Sequence, residues 1–201
     1  MISAAGATDG SETLLPLAAA RRVARWFVSD EAALANALAS ARLRACVHCH
    51  RVGMLIGHGR LVGYAEGSSD REVRGRRLLC SNRHRRAGCG RTSPIWLAAV
   101  IPRRIVRAAT AFALLAALAV GTRVACAWPR ISSMALRTGY RTEARLALAG
   151  PAIRTALLTR APPPPVQTTS PDAQLVAHLR AVLGPDPFAS YQLVFQRPLL
   201  G

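Results

Sequence analysis

Four of the five cysteines in this chain fall into two pairs. Cys46-Val-His-Cys49 is a Cys-x-x-Cys pair, and Cys80 and Cys89 bracket Ser-Asn-Arg-His-Arg-Arg-Ala-Gly as a second, wider one. Four thiolates drawn from two loops are the ligand set of a tetrahedral zinc ion, with each sulfur about 2.3 Å from the metal. The plainer alternative is four reduced cysteines in a basic loop region. The fifth, Cys126, stands alone in an apolar setting and reads as a small core residue.

Such ligands have to be held by short, well-defined elements. The 30 residues between Cys49 and Cys80 read as two β segments, Met54–Tyr64 and Glu72–Leu79. The turn-forming run Glu66-Gly-Ser-Ser-Asp70 parts them. Each cysteine pair is then expected at the tip of a β-hairpin, making residues 46–96 a zinc ribbon. Coordination at Cys80 and Cys89 would bow the intervening Asn82-Arg83-His84-Arg85-Arg86 outward as a basic finger. Five consecutive polar side chains are costly to bury. Arg76 and Arg77 lie just before the finger and Arg91 just after it, so this stretch is the expected phosphate-contacting surface.

The segments Gly57-His58-Gly59, Arg76-Arg77-Leu78-Leu79-Cys80-Ser81-Asn82-Arg83 and Gly88-Cys89-Gly90-Arg91-Thr92 resemble the zinc ribbon in front of many bacterial insertion-sequence transposases. They are most similar to short, Arg-rich, transposase-related proteins with no catalytic domain. The resemblance covers residues 46–96 and, more weakly, about 97–160. Two positions depart from it: His50 stands where ribbons place Gly, and Ser93 where an aromatic packs under the metal. The resemblance implies Zn2+ as cofactor and duplex DNA as partner.

Composition agrees with a polyanion binder. Apolar residues make up 51% of the 201 positions but aromatics only 5%, and every one of the 27 basic residues is arginine. The excess of Ala and Arg points to a GC-rich coding background, but the placement of the arginines is uneven. Residues 41–107 hold 15 Arg against Glu66, Asp70 and Glu72, which accounts for +12 of the net +17. Charge concentrated on one module favours association with phosphate backbones through counterion release. Guanidinium also pairs bidentately with phosphate and with the guanine edge. The cysteine spacing argues against a disulfide framework. The start of the chain lacks the basic, apolar pattern of a secretory signal. A reducing cytoplasm, with association to the nucleoid, is therefore the expected location.

Taken in order, residues 1–45 read as a polar tail and helices. One helix is expected over Leu14–Val28, with Arg21, Arg22 and Arg25 outward. A second is expected to start at Ser29-Asp30-Glu31 and run to about Leu43. Residues 97–160 read as helical: Leu97–Ile101, then an apolar helix over Ile105–Val120 ended by Gly121. A short helix over Arg123–Trp128 is expected to be broken by Pro129. Ser132 or Ser133 would then cap an Arg-bearing helix, and a further helix would run from Pro151 to Arg160. This order resembles a helix-turn-helix in which Arg137, Arg141 and Arg145, four residues apart, line one face suited to a major groove; the alternative is the solvated face of an amphipathic helix. The uncharged run from Ala108 to Thr122 is shorter than the ~20 residues that span a bilayer. Residues 161–171 form a Pro-rich spacer. Residues 172–201 read as a helical pair whose apolar face, with Phe188, Tyr191 and Phe195, is expected to dock on the core or on a protein partner. His178 is expected at the surface.

No enzyme is expected. After the ribbon the acids are Glu143, Asp172 and Asp186, with no strand-rich domain to converge them on two metal ions. A phosphate loop with its lysine is absent, and the histidines near the ribbon (His48, His50, His58 and His84) lack a carboxylate partner. The expectation is an α+β protein, a four-cysteine zinc ribbon followed by helices, acting as a zinc-dependent, non-catalytic DNA-binding module. The competing classes are a zinc-stabilised protein-interaction adaptor and a peripheral membrane-surface protein.

Overall fold

The computed structural model describes residues 26–167 and 170–200. Trp26–Val28 forms the short strand β1, followed by α1 (Glu31–Ala39) and a 3-10 turn at Ala41–Leu43. Asp30 caps α1 as the Ser-Asp-Glu pattern requires, its carboxylate accepting from the Ala33 N–H at 2.8 Å. Of the helix expected over Leu14–Val28, residues 14–25 lie outside the described residues, and the remainder is strand rather than helix.

The two β segments pair as expected. β2 (Leu55–Tyr64) and β3 (Arg71–Cys80) form an antiparallel hairpin in register from Leu55↔Cys80 to Tyr64↔Arg71, with irregularities at Gly57/Gly59 and Leu61/Val62. β4 (Thr92–Leu97) adds antiparallel to β3, and β1 adds parallel to β4, giving the order β1-β4-β3-β2. Residues 97–101 are not the helix expected there. Leu97 ends β4, and the chain then turns through Pro102 and closes with a bridge between Val100 and Arg107. Ile95, Ala98, Val100 and Ile101 are buried in this stretch, and the Val100 N–H bonds the Leu97 carbonyl at 3.0 Å, a tight turn rather than a helical i to i+4 bond.

Helices complete the α+β fold: α2 (Ala108–Ala119), α3 (Val124–Ile131), α4 (Leu136–Leu158), α5 (Pro171–Leu183) and α6 (Pro187–Phe195). α2 is central, with Ala108, Ala111, Leu114 and Leu115 buried and α3, α4, α5 and α6 packed around it. At 12 residues it spans about 18 Å. No helix among the described residues is long and apolar enough to cross a membrane. Pro129 lies inside α3 and does not end it; the break comes after Ile131. Neither serine caps α4, whose cap is Ala135; Ser132 instead turns its hydroxyl toward Glu66. The helix expected from Pro151 is the second half of α4, which runs unbroken for 23 residues.

Packing corrects two single-residue expectations. α3 buries Val124, Ala127 and Trp128, one helical face, so Cys126 falls on the other side and is exposed. His178 is buried with Leu175 and Leu179, and the Ala161 carbonyl accepts from its Nε2 at 2.9 Å. The C-terminal pair docks on the core: Phe188 and Tyr191 are buried, and Phe112 and Phe188 meet edge to face at 5.3 Å. Gln192, fully buried, donates to the carbonyls of Ala98 and Val100 and accepts from Leu199 N–H. Gln196 does the same at the free edge of β1, its amide bonding both the N–H and the C=O of Phe27. An edge strand so covered has no open backbone groups at that residue to recruit another chain.

Candidate metal centre and the basic surface around it

The sheet brings the four paired cysteines together. Cys46 and Cys49 lie on a turn entering β2, closed by His50 N–H to Cys46 C=O at 2.8 Å and by Cys46 N–H to Arg51 C=O at 3.0 Å. A 3-10 turn (Ala41–Leu43), not a strand, leads into this turn, so the first pair is not at a hairpin tip as expected. Cys80 is the last residue of β3 and Cys89 lies in the turn leading to β4, so the second pair does sit on a hairpin. Cys46 and Cys80 are buried with Leu34, Leu55, Leu78 and Ile95 in the core beneath the turn.

Sulfur geometry tests whether these residues suit a metal. Cys46 Sγ is 3.7 Å from Cys89 Sγ, Cys49 Sγ is 3.6 Å from Cys80 Sγ, and all four sulfurs lie within 4.8 Å of one another. A tetrahedron with bonds of about 2.3 Å has edges of about 3.8 Å. A disulfide would need about 2.05 Å. The set therefore fits a tetrahedral ion and not a pair of disulfides. Among the described residues it is the one group of three or more His, Cys, Asp or Glu side chains placed to share a metal.

The backbone prepares these sulfurs for negative charge. His48 N–H points at Cys46 Sγ at 3.4 Å, and Cys89 N–H at Cys80 Sγ at 3.3 Å. The Arg51 N–H beside Cys49 draws its thiol down to about 7, whereas burial pushes Cys80 up to about 12. A buried thiol of that kind stays protonated unless a cation takes the proton's place. Both departures from the ribbon pattern are visible here. His50 adopts the left-handed backbone, φ 58°, that glycine takes at lower cost. Ser93, buried below the turn, places its hydroxyl 3.5 Å from His48 Nε2.

The finger projects from the second pair as anticipated. Gly88 closes it: a Cβ there would stand 2.2 Å from the Ser81 carbonyl oxygen, and the Gly88 N–H bonds that oxygen at 3.1 Å. Arg83, His84 and Arg85 are exposed and Arg86 is half-buried, with a turn from Arg86 N–H to Arg83 C=O. His84 and Arg85 are both left-handed, φ 52° and 62°. Two consecutive non-glycine residues in that region carry backbone strain. Arg77 is exposed and Arg76 half-buried on β3, and Arg91, just before β4, is exposed.

The other expected contacts lie on a different element. Arg137 and Arg141 are exposed and Arg145 is half-buried on α4, which packs on α2, α3 and α5 rather than on the finger. α3 and α4 approach closely at Gly139, where a Cβ would be 2.7 Å from the Trp128 ring. Trp128, fully buried, donates from Nε1 to Met134 C=O at 2.9 Å and so fixes the turn between the two helices. Sequence reasoning did not single out Glu66. Its carboxylate accepts from Arg107 N–H and Thr110 Oγ1 at the start of α2, tying the β2–β3 turn to the helical layer. Glu143 and Asp172 line one cavity of about 360 Å³ with Arg123, and no third acid joins them. Comparison with family models, curated proteins and solved structures finds no match to this chain.

Proposed function

We propose that the chain is a zinc-dependent, non-catalytic duplex-DNA-binding protein, akin to the end-recognition module of a transposase. The observation that carries this reading is the tetrahedral Cys46, Cys49, Cys80 and Cys89 set with an arginine finger strung between two of its members. Zn2+ held by those four side chains supplies structural cross-linking. Four protein ligands leave it no open position for catalysis. Cys80 and Cys89 fix both ends of the finger, so Arg83, Arg85 and Arg86 meet phosphates from a pre-shaped loop. Contacts of that kind position a protein on DNA, and sequence is read elsewhere. The exposed Arg137 and Arg141 on α4 are the side chains assigned to base reading. The adaptor reading finds less support, because Phe188 and Tyr191, the aromatics offered for a partner, are buried in this chain's own core.

The test is duplex binding by the full chain, zinc-loaded and zinc-free, at two salt concentrations. The proposal expects steeply salt-dependent binding by the loaded protein and a large loss on chelation. Binding that ignores both salt and metal contradicts it.

A further inference from the structure

A cavity of about 530 Å³ opens on the sheet, distinct from the metal centre and the finger. Arg60, Arg71, Arg74, Arg77, Arg103 and Arg104 line it, together with Tyr64 and Trp96, and no carboxylate does. Its size is that of a small-molecule site. Of the six guanidiniums, only Arg74 is neutralised. It pairs with Glu72 at 3.2 Å and donates to the backbone carbonyls of Arg104 and Ile105. The ion pairs among the described residues are Glu72 with Arg74 and Glu72 with Arg107, which leaves five of the six lining arginines without a carboxylate.

Two buried donors in the lining residues also lack acceptors: Trp96 Nε1 and Arg104 Nε. A buried N–H without a partner costs about 1–3 kcal/mol. Arg103 is held in the left-handed region, φ 62°, beside Arg104. Burial lowers the Arg104 pKa, and the positive charges of Arg145 and Arg103 add to that effect. Like charges are thus crowded around this cavity. An anion rich in acceptor oxygens relieves that crowding.

We propose that this cavity binds an oligophosphate. A single phosphate carries about two negative charges at pH 7, too few for five guanidiniums. A run of three phosphates comes close to matching them and offers many oxygens for bidentate arginine contacts. The source is either free tripolyphosphate or the phosphate run of a nucleoside triphosphate. This inference rests on the cavity, and of its six arginines only Arg77 also belongs to the surface expected to contact duplex phosphate.

Calorimetric titration of the full, zinc-loaded chain with tripolyphosphate, a nucleoside triphosphate and inorganic phosphate at fixed ionic strength tests it. One tripolyphosphate per chain is expected, with single phosphate at least a hundredfold weaker. Arg60→Gln and Arg103→Gln, both at exposed positions, should each raise the Kd roughly tenfold. Arg130→Gln, which removes the same charge from the exposed side of α3, should leave it unchanged. Thermal unfolding of each variant reports whether its fold is retained. Equal affinities for the two triphosphates identify the phosphate run alone as the ligand, and tighter nucleotide binding identifies a nucleotide; either supports the site. Absence of binding, several equivalent ions per chain, or an equal loss in Arg130→Gln would overturn it.

Discussion

Cys46 and Cys89, 43 positions apart in sequence, face each other with their sulfurs 3.7 Å apart, and Cys49 and Cys80 do the same at 3.6 Å. These are the opposite edges of one tetrahedron. Local structure alone cannot bring them together. β3 must pair with β2 so that Cys80 lies against Leu55, and the β3–β4 turn must carry Cys89 back toward the first pair.

The thiols differ in how readily they ionise. In the metal-free chain, Cys49 should alkylate first, with a rate rising through a midpoint near pH 7, while Cys80 stays inert until far more alkaline conditions. Because the Cys49 value is lowered, its thiolate accumulates above that midpoint and disappears below it. Zinc should protect all four. Mass-resolved alkylation against pH checks this; a metal-free chain in which Cys80 reacts as fast as Cys49 contradicts the assigned environments.

The finger should act through charge alone. Replacing Arg83, Arg85 and Arg86 together with Ala should weaken binding to every duplex alike. The salt slope should flatten by roughly two to three units, at about 0.9 per phosphate contact. Zinc content should not change. A wild-type slope in the triple variant would reduce the finger to a solvated loop.

Arg141 is exposed on α4 and is assigned to base reading. Arg141→Glu should change which sequences are selected as well as how tightly they bind. If selection returns the same site for both proteins, α4 contributes only a solvated face.

Gly139 offers a test of packing in which two effects oppose. In an open helix, Gly→Ala stabilises by about 0.5–1 kcal/mol. Here the added Cβ would lie 2.7 Å from the fully buried Trp128 ring, and overpacking costs about 1–3 kcal/mol. Packing should win, so Gly139→Ala is expected to lower stability in chemical denaturation. An increase would mean that α3 and α4 can separate without cost.

Much of this arrangement was legible in the sequence where a local signal was strong. The cysteine pairs, the Glu66–Asp70 turn between β2 and β3 and the Asp30 cap all carry their structure in a few adjacent residues. What was not legible depends on distant partners. β1 is three residues long and exists because β4 pairs with it and Gln196 covers its other edge. Residues 97–101 look helical by composition, but the carbonyls of Ala98 and Val100 are claimed by Gln192 from the far end of the chain. The proline at 151 suggests a boundary, but α4 continues past it with Leu146, Ile153 and Leu157 all buried in the core. The arginine-lined cavity was likewise invisible as a site, because its members come from β2, β3 and the loop after β4.

The central claim is that four cysteines hold one zinc ion and that this ion organises the sheet beneath it. Native mass spectrometry with metal analysis of the purified full chain, its Cys126→Ser variant and its Cys80→Ser variant tests it most directly. One zinc per chain is expected in the wild type and in Cys126→Ser, whose side chain is exposed and remote from the set. Cys80→Ser should lose stoichiometric zinc and the cooperative unfolding of the sheet, since structural zinc contributes on the order of 10 kcal/mol to small folds. A Cys80→Ser chain that retains a full equivalent of zinc and the wild-type unfolding transition would contradict the account.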